Sequence, residues 1–393
     1  MTDPEGVAAR EEAIPFVDLQ AQRDALGASI DDALARVLEH GRFIHGPEVG
    51  ELEEQLGSRS RTAHVVSCSS GTDALLIPLM AWGIGPGDAV FVPSFTFTAT
   101  AEVVALLGAT PVFCDVLPDS FNLDPQSLER AIELVDSIEG LRPRALIPVD
   151  LYGQPADYVT LQRIAGAHGL QLLADAAQSF GATLDGRNVG GFGDATATSF
   201  FPAKPLGCFG DGGAVFTDDD ELAAVMRSLR SHGQGGEKYN TVRVGLNARL
   251  DTLQAAILLV KLERFDWELS QRDHLAQRYT SALQSSVGVP TLNPGATSTW
   301  AQYTVRTSGR DEVRAALQAA GIPTAIYYPR PLHLQPAFAD GTVAPGGCPA
   351  SESLSQDVLS LPMGPYLREE HQDRVIRALR STLGSQEVGA SDG

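Results

Sequence analysis

Lys204 is the residue of this chain whose chemistry best suits covalent catalysis. It lies in the run Ser199-Phe-Phe-Pro-Ala-Lys204-Pro-Leu-Gly, and Lys238 and Lys261 are the only other lysines. An amine that can lose its proton in a pocket is able to form a Schiff base, whereas an arginine guanidinium is not. The sequence therefore indicates Lys204 as a covalent nucleophile.

Asp175 is the carboxylate that accompanies this lysine, and it ends the apolar run Leu172-Leu-Ala-Asp175. A lysine for a Schiff base and an acid for a pyridine nitrogen are the pair that pyridoxal phosphate uses. A carboxylate keeps that nitrogen protonated, which makes the ring a better electron sink. Taken alone, Asp175 fits better as the cap of a following helix.

The segment Ser69-Ser-Gly71-Thr72-Asp follows an apolar strand and opens an apolar helix, so it is a suitable phosphate site. Ser199, five residues before Lys204, can reach the same phosphate from the other side. The alternative for this segment by itself is an ordinary helix cap. Gln178 lies one helical turn after Asp175 and can face the cofactor. Phe97 is either a ring that stacks on the cofactor or a core aromatic.

The elements that position these residues alternate between strands and helices. Strands are predicted at 63–67, 89–92, 110–115, 145–150, 170–175, 195–200 and 213–217. Helices are predicted at 73–82, 101–107, 127–134 and 159–167. This alternation predicts an α/β fold with a mostly parallel, doubly wound sheet. Ligands bind at the carboxyl ends of such strands, where Ser69, Asp175 and Ser199 lie.

The chain is predicted to contain two domains and two flexible ends. The predicted parts are a leader at 1–13, a large cofactor-binding domain at 14–262, a smaller C-terminal α+β domain at 263–383 and a disordered tail at 384–393. A long helical segment at 250–283 joins the domains. The second domain has predicted strands at 303–306 and 324–328 and predicted helices at 310–320 and 368–379.

Composition narrows the class of protein. The chain has 393 residues, of which 43% are apolar, and its net charge is −20. Acidic residues are scattered along the chain, so we expect neither a nucleic acid nor a membrane as partner. The cysteines show no metal-ligand or disulfide spacing, and no signal peptide or membrane span is evident. We therefore expect a cytoplasmic protein without a metal site.

Taken together, these motifs resemble the DegT/DnrJ/EryC1/StrS family of sugar aminotransferases. The matching pieces are Phe43-Ile-His-Gly-Pro47, Ser69-Ser-Gly-Thr-Asp-Ala-Leu75, Asp175-Ala-Ala-Gln-Ser-Phe-Gly-Ala182, Ser199-Phe-Phe-Pro-Ala-Lys204, Gly210-Asp-Gly-Gly-Ala214, Gly245-Leu-Asn-Ala-Arg249 and Tyr327-Tyr-Pro-Arg-Pro-Leu-His333. They occur in order between about residues 14 and 364. Dehydratases of this family carry histidine in place of the lysine, so Lys204 favours transamination.

The resemblance implies the aspartate aminotransferase fold, called fold type I, and a homodimer whose active sites are shared between subunits. It implies that Lys204 forms the internal aldimine of pyridoxal 5′-phosphate and that Asp175 pairs with its pyridine nitrogen. Gln178 is expected near the cofactor. Gly71, Thr72 and Ser199 are expected to hold the phosphate, with Asn247 reaching it from the partner subunit.

The resemblance also implies transfer of an amino group from an amino acid, L-glutamate, to a nucleotide-linked keto sugar. The motifs are most similar to enzymes that aminate C3 of a UDP-linked 3-keto-N-acetylglucosaminuronic acid. Candidate contacts for this anionic substrate are Arg42, His232, Arg243, Arg249, Tyr328, Arg330 and His333. The alternatives are another 3-keto or 4-keto dTDP- or GDP-sugar, a keto-inositol, or a cofactor-binding regulatory protein without catalysis.

Overall fold

The computed structural model describes residues 12–236 and 239–391, so Lys238 and most of the predicted leader lie outside the described residues. The strands are β1 His64–Cys68, β2 Asp88–Pro93, β3 Thr110–Cys114, β4 Arg142–Leu146, β5 Gln171–Asp175, β6 Thr183–Leu184, β7 Arg187–Asn188, β8 Ala195–Ser199, β9 Gly213–Thr217, β10 Tyr303–Arg306, β11 Thr342–Val343 and β12 Val358–Leu361. The helices are α1 Leu19–Leu26, α2 Ala28–His40, α3 Pro47–Ser60, α4 Gly71–Ala81, α5 Ala99–Leu106, α6 Pro125–Asp136, α7 Tyr158–His168, α8 Asp220–Leu229, α9 Thr252–Leu283, α10 Arg310–Ala319, α11 Pro349–Asp357 and α12 Glu369–Ser391.

An eight-stranded sheet forms the centre of the larger domain, in the order β1-β9-β8-β5-β4-β2-β3-β11. Every neighbouring pair is parallel except those of β9, which runs antiparallel to β1 and β8. Helices α4 and α5 cover one face, and α6 and α7 cover the other. Because both faces are covered, strands such as β2 are buried along their whole length. The predicted mostly parallel sheet is confirmed.

Two predicted strands differ from the structure, and prolines explain both. The strand expected at 145–150 is β4, which ends at Leu146, and Val149 makes only an isolated bridge to Asp175. Pro148 has no N–H to continue the ladder. The strand expected at 324–328 is reduced to one bridge between Ala325 and Ser360. Prolines at 323 and 329 flank that segment and limit it in the same way.

The smaller domain consists of the β10/β12 pair, α10, α12 and the end of α9 around one apolar core. Ile14 is buried in that core, so the first described residues pack in the smaller domain and not in the larger one, to which the prediction assigned residue 14. Phe265 still packs in the core of the larger domain, so the boundary lies further along α9 than 262. A single continuous helix hides this boundary, because its apolar pattern does not change where its packing partner does.

The C-terminal part of the chain also returns to the larger domain. Strand β11 pairs in parallel with β3, and Leu332, Phe338 and Cys348 are buried in the core beside α4 and α5. The predicted second domain is therefore not one continuous stretch of sequence. The last helix continues to Ser391, through residues expected to be disordered, since elongating a formed helix adds one hydrogen bond per residue.

Within the described ranges, no helix has both the length and the apolar character required to cross a bilayer. In the same residues, no group of three or more His, Cys, Asp or Glu side chains is arranged to hold a metal ion. The four cysteines are buried and unpaired.

Candidate active site

The carboxyl ends of β1 and β8 lie close together because both strands flank the start of β9. Gly213 pairs with Cys68 on one side and with Ser199 on the other. Asp175 ends β5, the next strand after β8 in the sheet. The sheet order thus gathers three predicted site segments, which are far apart in sequence, at one edge.

The first turn of α4 faces Ser199. Ser70 caps the helix, and its Oγ accepts a hydrogen bond from Asp73 N at 3.0 Å. A Cβ atom added to Gly71 would lie 2.6 Å from Ser199 Cβ and 2.9 Å from Ser199 Oγ. The structure therefore brings Gly71, and Thr72 beside it, against Ser199. Free N–H groups at the start of a helix, together with hydroxyl groups, are suited to a phosphate.

Asp175 is a buried carboxyl whose orientation is fixed on both oxygens. Its Oδ2 accepts from Thr100 Oγ1 at 2.9 Å, and its Oδ1 accepts from Ala177 N at 3.2 Å. Burial raises the pKa of Asp175, whereas these hydrogen bonds and the charge of Lys204 act in the opposite direction. Thr100 is not among the residues predicted from the sequence, because it lies just before the helix predicted at 101–107, whereas α5 begins at Ala99.

Lys204 lies half-buried in the loop between β8 and β9, and its backbone N–H donates to Phe201 O at 2.8 Å. Burial lowers the pKa of Lys204 to about 8, while the negative charge of Asp175 acts in the opposite direction. A larger fraction of this amine is therefore neutral near pH 7 than for an exposed lysine. Its interaction with Asp175 brings together the two residues that the sequence singled out.

Tyr328 lies near Asp175 and connects it with Gln178 and Phe97. Gln178 Oε1 accepts a hydrogen bond from Tyr152 N at 2.6 Å. Burial and the charge of Asp175 raise the pKa of the Tyr328 hydroxyl, while a hydrogen bond with Gln178 lowers it. The ring centroids of Phe97 and Tyr328 are 6.2 Å apart, and Phe97 is 54% exposed. Phe97 is thus not a core aromatic of the single chain, and its stacking on the cofactor stays a prediction.

A second group of predicted residues lies near the start of α3 and in the loop before α9. This group, which we call the basic corner, consists of the predicted residues Arg42, His232, Arg243 and Arg249 together with His45. Arg42 Nη2 donates to His45 O at 3.4 Å, and His45 Nε2 lies 3.3 Å from Ser231 Oγ. Burial and the positive charges of Arg230 and Arg249 lower the pKa of His45. Sequence analysis did not single out His45, although it lies inside the quoted motif that begins at Phe43.

The remaining predicted residues differ in their surroundings. Asn247 is exposed and forms a bridge with Ser231, which places it beside the basic corner. Arg330 is exposed. Both ring nitrogens of His333 have partners within the chain, Ser94 Oγ at 2.5 Å and Glu352 Oε1 at 3.2 Å. Among the described contacts, none connects these three residues to Lys204, so their role in binding a substrate or cofactor stays a prediction.

The residues at the sheet edge fit pyridoxal phosphate. Gly71 lets the first turn of α4 approach Ser199 more closely than a Cβ would allow, so the free N–H groups of that turn and the Ser199 hydroxyl lie side by side, which suits a phosphate group. The half-buried amine of Lys204 and the buried carboxyl of Asp175 supply the two groups that the cofactor requires. The mostly parallel sheet, with this pair at the carboxyl ends of its strands, is the arrangement of a pyridoxal-phosphate enzyme of fold type I.

The comparison with known proteins gives the family. The model of the DegT/DnrJ/EryC1/StrS aminotransferase family matches residues 24–380. The chain belongs to this family and is an aminotransferase of the pyridoxal-phosphate-dependent kind. It is 49% identical, over 90% of its length and 96% of the relative, to the UDP-2-acetamido-2-deoxy-3-oxo-D-glucuronate aminotransferase of Pseudomonas aeruginosa. It is 44% identical, over 93% of its length and 95% of the relative, to the dTDP-3-amino-3,4,6-trideoxy-alpha-D-glucose transaminase of Streptomyces venezuelae.

Solved structures agree with this assignment. A DegT DnrJ EryC1 StrS aminotransferase from Brucella abortus superimposes with a TM-score of 0.93 at 52% identity, covering 94% of this chain and all of that one. NtdA from Bacillus subtilis, solved with bound cofactor PMP, gives a TM-score of 0.87 at 30% identity, covering 96% of this chain and 86% of that one. The predicted fold type I is therefore confirmed.

Gly71→Ala is expected to weaken cofactor binding. The added methyl group would lie 2.6 Å from Ser199 Cβ, so the start of α4 and Ser199 must move apart. Loss of one hydrogen bond to a charged phosphate corresponds to about a ten- to hundred-fold increase in Kd. Titration of the apoprotein with pyridoxal phosphate, followed by absorbance, measures the change.

Gly50→Ala is the matched control for this variant. Gly50 lies inside α3, where an added Cβ meets nothing within 4 Å. We expect that variant to bind the cofactor as the unmodified protein does and to gain up to about 1 kcal/mol in stability. Equal cofactor affinities of Gly71→Ala and the unmodified protein would contradict a phosphate site at the start of α4.

Proposed function

We propose that the chain uses pyridoxal 5′-phosphate to transfer an amino group from L-glutamate to C3 of a UDP-linked 3-keto-N-acetylglucosaminuronic acid. The observation that carries the cofactor and the reaction type is the Lys204–Asp175 pair beside the Gly71–Ser199 cradle. The 49% identity to an aminotransferase named for this sugar supports the choice of substrate.

Bound at this site, the cofactor supplies an electron sink that stabilises a carbanion on the substrate. Asp175, held by Thr100 and Ala177, provides a negative charge of fixed orientation for the protonated ring nitrogen. Lys204 Nζ, with its pKa lowered to about 8, can both accept and return a proton near neutral pH. The first turn of α4 and Ser199 would hold the phosphate, and Tyr328 with Phe97 would flank the ring.

The basic corner supports an anionic substrate. In a chain of net charge −20, Arg42 donates to His45 O, and Arg249 lies near enough to lower the pKa of that histidine. His232 and Arg243 lie in the adjoining loop between α8 and α9. Arg249 Nε is buried without a hydrogen-bond partner in the described part of the chain. Guanidinium groups match the geometry of phosphate and carboxylate, and a UDP-linked uronic acid contains both. We propose that this group, with Tyr328, Arg330 and His333, binds the sugar nucleotide.

We also propose a homodimer with shared active sites. Several large apolar side chains near the predicted site are exposed in the single chain: Phe43 at 45%, Phe97 at 54%, Phe201 at 52%, Val242 at 54% and Val244 at 87%. An exposed apolar patch of this kind is typical of a protein interface. A second copy covering it would bring the basic corner and Asn247 towards the cofactor site of the other subunit.

We place the enzyme in the cytoplasm because its thiols are suited to a reducing compartment. All four cysteines are buried and unpaired. Burial raises the pKa of the Cys208 thiol to about 11, so this cysteine is a poor nucleophile although it lies four residues from Lys204. This supports transamination by the lysine over chemistry at a thiol.

The second candidate substrate is a dTDP-linked 3-keto sugar, which the 44% identity to a dTDP-sugar transaminase favours. The two substrates differ in their charge, because the uronic acid adds a carboxylate to the diphosphate. The basic corner favours the uronic acid. GDP-sugars, 4-keto sugars and keto-inositols remain as further alternatives that the same assay tests.

The deciding experiment is a glutamate-dependent single-turnover assay with UDP-, dTDP- and GDP-linked 3-keto and 4-keto sugars. Absorbance follows the cofactor, and mass spectrometry identifies the amino sugar. We expect glutamate to convert the cofactor to its amino form and the UDP-linked 3-keto uronic acid to be aminated. Amination of a different keto sugar alone would refute the substrate. No change of absorbance with any amino donor would instead support a non-catalytic regulatory protein.

A further inference from the structure

Helix α9 contacts the loop between β8 and β9 in which Lys204 lies. Gln254 Oε1 accepts a hydrogen bond from Phe209 N at 2.8 Å, and Lys261 Nζ donates one to Gly207 O at 2.5 Å. Lys261 Nζ also lies 4.5 Å from the centroid of the Phe209 ring. Gln254 and Lys261 are seven residues apart, or two helical turns, so both project from one face of α9. The helix therefore holds the loop at two points.

The loop is closed on itself, so its parts move together. Cys208 N donates to Phe200 O at 2.8 Å, and Lys204 N donates to Phe201 O at 2.8 Å. A Cβ atom added to Gly207 would lie 2.7 Å from Phe201 O, which shows how closely the two ends of the loop approach. A displacement of Gly207 would consequently be transmitted to Lys204, three residues earlier.

Lys261 is a charged residue in a place that an apolar side chain would normally occupy. Its side chain is 1% exposed, and a buried ammonium destabilises a fold unless partners compensate the lost hydration. Gly207 O and the Phe209 ring are two such partners. Burial lowers the pKa of Lys261 to about 8, while the charge of Glu268 acts in the opposite direction. A methionine would fill this space without the carbonyl contact, so the hydrogen bond to the loop is what the lysine adds.

We propose that Lys261 and Gln254 are positioning residues for Lys204, which fix the loop at Gly207 and Phe209 and so hold the Lys204 amine opposite Asp175. This proposal rests on the proposed role of Lys204 in holding the cofactor and moving a proton. The action is mechanical, because the charge that acts on Lys204 is that of Asp175. A displacement of about 1 Å in a catalytic group can reduce a rate about 10²-fold.

Lys261→Met and Gln254→Met test the proposal, since each keeps a long side chain and removes a hydrogen bond to the loop. We expect each variant to lower kcat by about ten- to hundred-fold and to change KM for the amino donor by less than about two-fold. A purely structural role would lower thermal stability without this separation of kcat from KM.

Arg272→Met is the matched control. Arg272 is buried on the same face of α9, eleven residues beyond Lys261, and its Nη1 donates a hydrogen bond to Trp300 O at 3.1 Å. Among the described contacts, none joins its hydrogen-bonding atoms to the loop that carries Lys204. We expect its substitution to lower stability and to leave kcat within about two-fold of the unmodified value.

A second measurement uses the full chain without cofactor and does not depend on turnover. Competitive labelling with acetic anhydride over a range of pH, read by mass spectrometry of the peptide that contains Lys204, gives the titration midpoint of this amine. In the unmodified protein we expect the titration midpoint of Lys204 at about 8. In both methionine variants the midpoint should rise by about one unit towards the ordinary lysine value, because the amine moves towards water.

Unchanged kcat and an unchanged midpoint in both methionine variants would overturn the proposal. An equal loss of kcat in Arg272→Met would also overturn it, because the effect would then belong to the helix as a whole. If Lys261→Met does not fold, Gln254→Met decides by the same criteria. Absence of turnover in the unmodified protein would contradict the proposed function, while the labelling midpoints would still decide the positioning role.

Discussion

Lys204→Ala is expected to abolish transamination and to remove the covalent attachment of the cofactor. The amine is half-buried, lies within reach of the charge of Asp175 and has a pKa lowered to about 8, so we expect it to be the group that binds the cofactor and moves the proton. Loss of proton transfer alone corresponds to a decrease of about 10²–10⁴-fold in kcat. Borohydride reduction followed by peptide mass spectrometry should find the cofactor on the Lys204 peptide of the unmodified protein only.

Lys238→Ala is the control for this prediction, because it removes another lysine. We expect it to keep both the visible absorption of the bound cofactor and the reduced adduct on Lys204. The assignment of the nucleophile would be wrong if the Lys204→Ala protein still formed a reducible covalent adduct with pyridoxal phosphate. Thermal unfolding of both variants distinguishes loss of chemistry from loss of fold.

Asp175→Asn is expected to have the second largest effect. The substitution keeps the size of the side chain and one acceptor oxygen for Thr100 Oγ1, but it removes the negative charge that we propose pairs with the ring nitrogen of the cofactor. Removal of one preorganised electrostatic group typically lowers kcat by about 10²–10³-fold. Stopped-flow absorbance should therefore show cofactor that binds but reacts slowly with glutamate.

Asp194→Asn is the matched control, since Asp194 Oδ2 accepts from Leu172 N at 2.7 Å near the opposite end of β5. This variant alters a carboxylate that also touches the strand but lies away from Lys204. We expect its half-reaction with glutamate to keep the unmodified rate. Equal rates in Asp175→Asn and the unmodified protein would rule out a role of Asp175 in activating the cofactor.

Much of the fold could be predicted because local sequence patterns reflect burial. The run that forms β9 was predicted at 213–217, and the structure has Gly213–Thr217. Strands buried on both faces appear as short apolar runs between turn residues. In the intervening helices, apolar residues recur every three or four positions. The wrong strand limits occurred beside prolines, where the apolar pattern continues but the backbone lacks an N–H.

Domain limits could not be predicted in the same way. The apolar pattern of α9 shows that one face is buried, but not which domain buries each turn. Nothing in the sequence around Ile14 or β11 indicates their distant partners, which are the core of the smaller domain and strand β3. Association of segments more than two hundred residues apart depends on the complete packing of the chain.

By itself, the sequence determined the chemistry of this protein: an amine in Lys204, a carboxyl in Asp175, a helix start at Gly71, and the sheet edge that such residues share. Only the tertiary structure decided how closely they approach and what holds them. The contacts that hold them are long-range: Gly71 against Ser199, the hydrogen bond from Thr100 to Asp175, and the hydrogen bonds between α9 and the Lys204 loop. Periodicity and spacing report local conformation and burial, whereas these contacts form only when separate elements pack together.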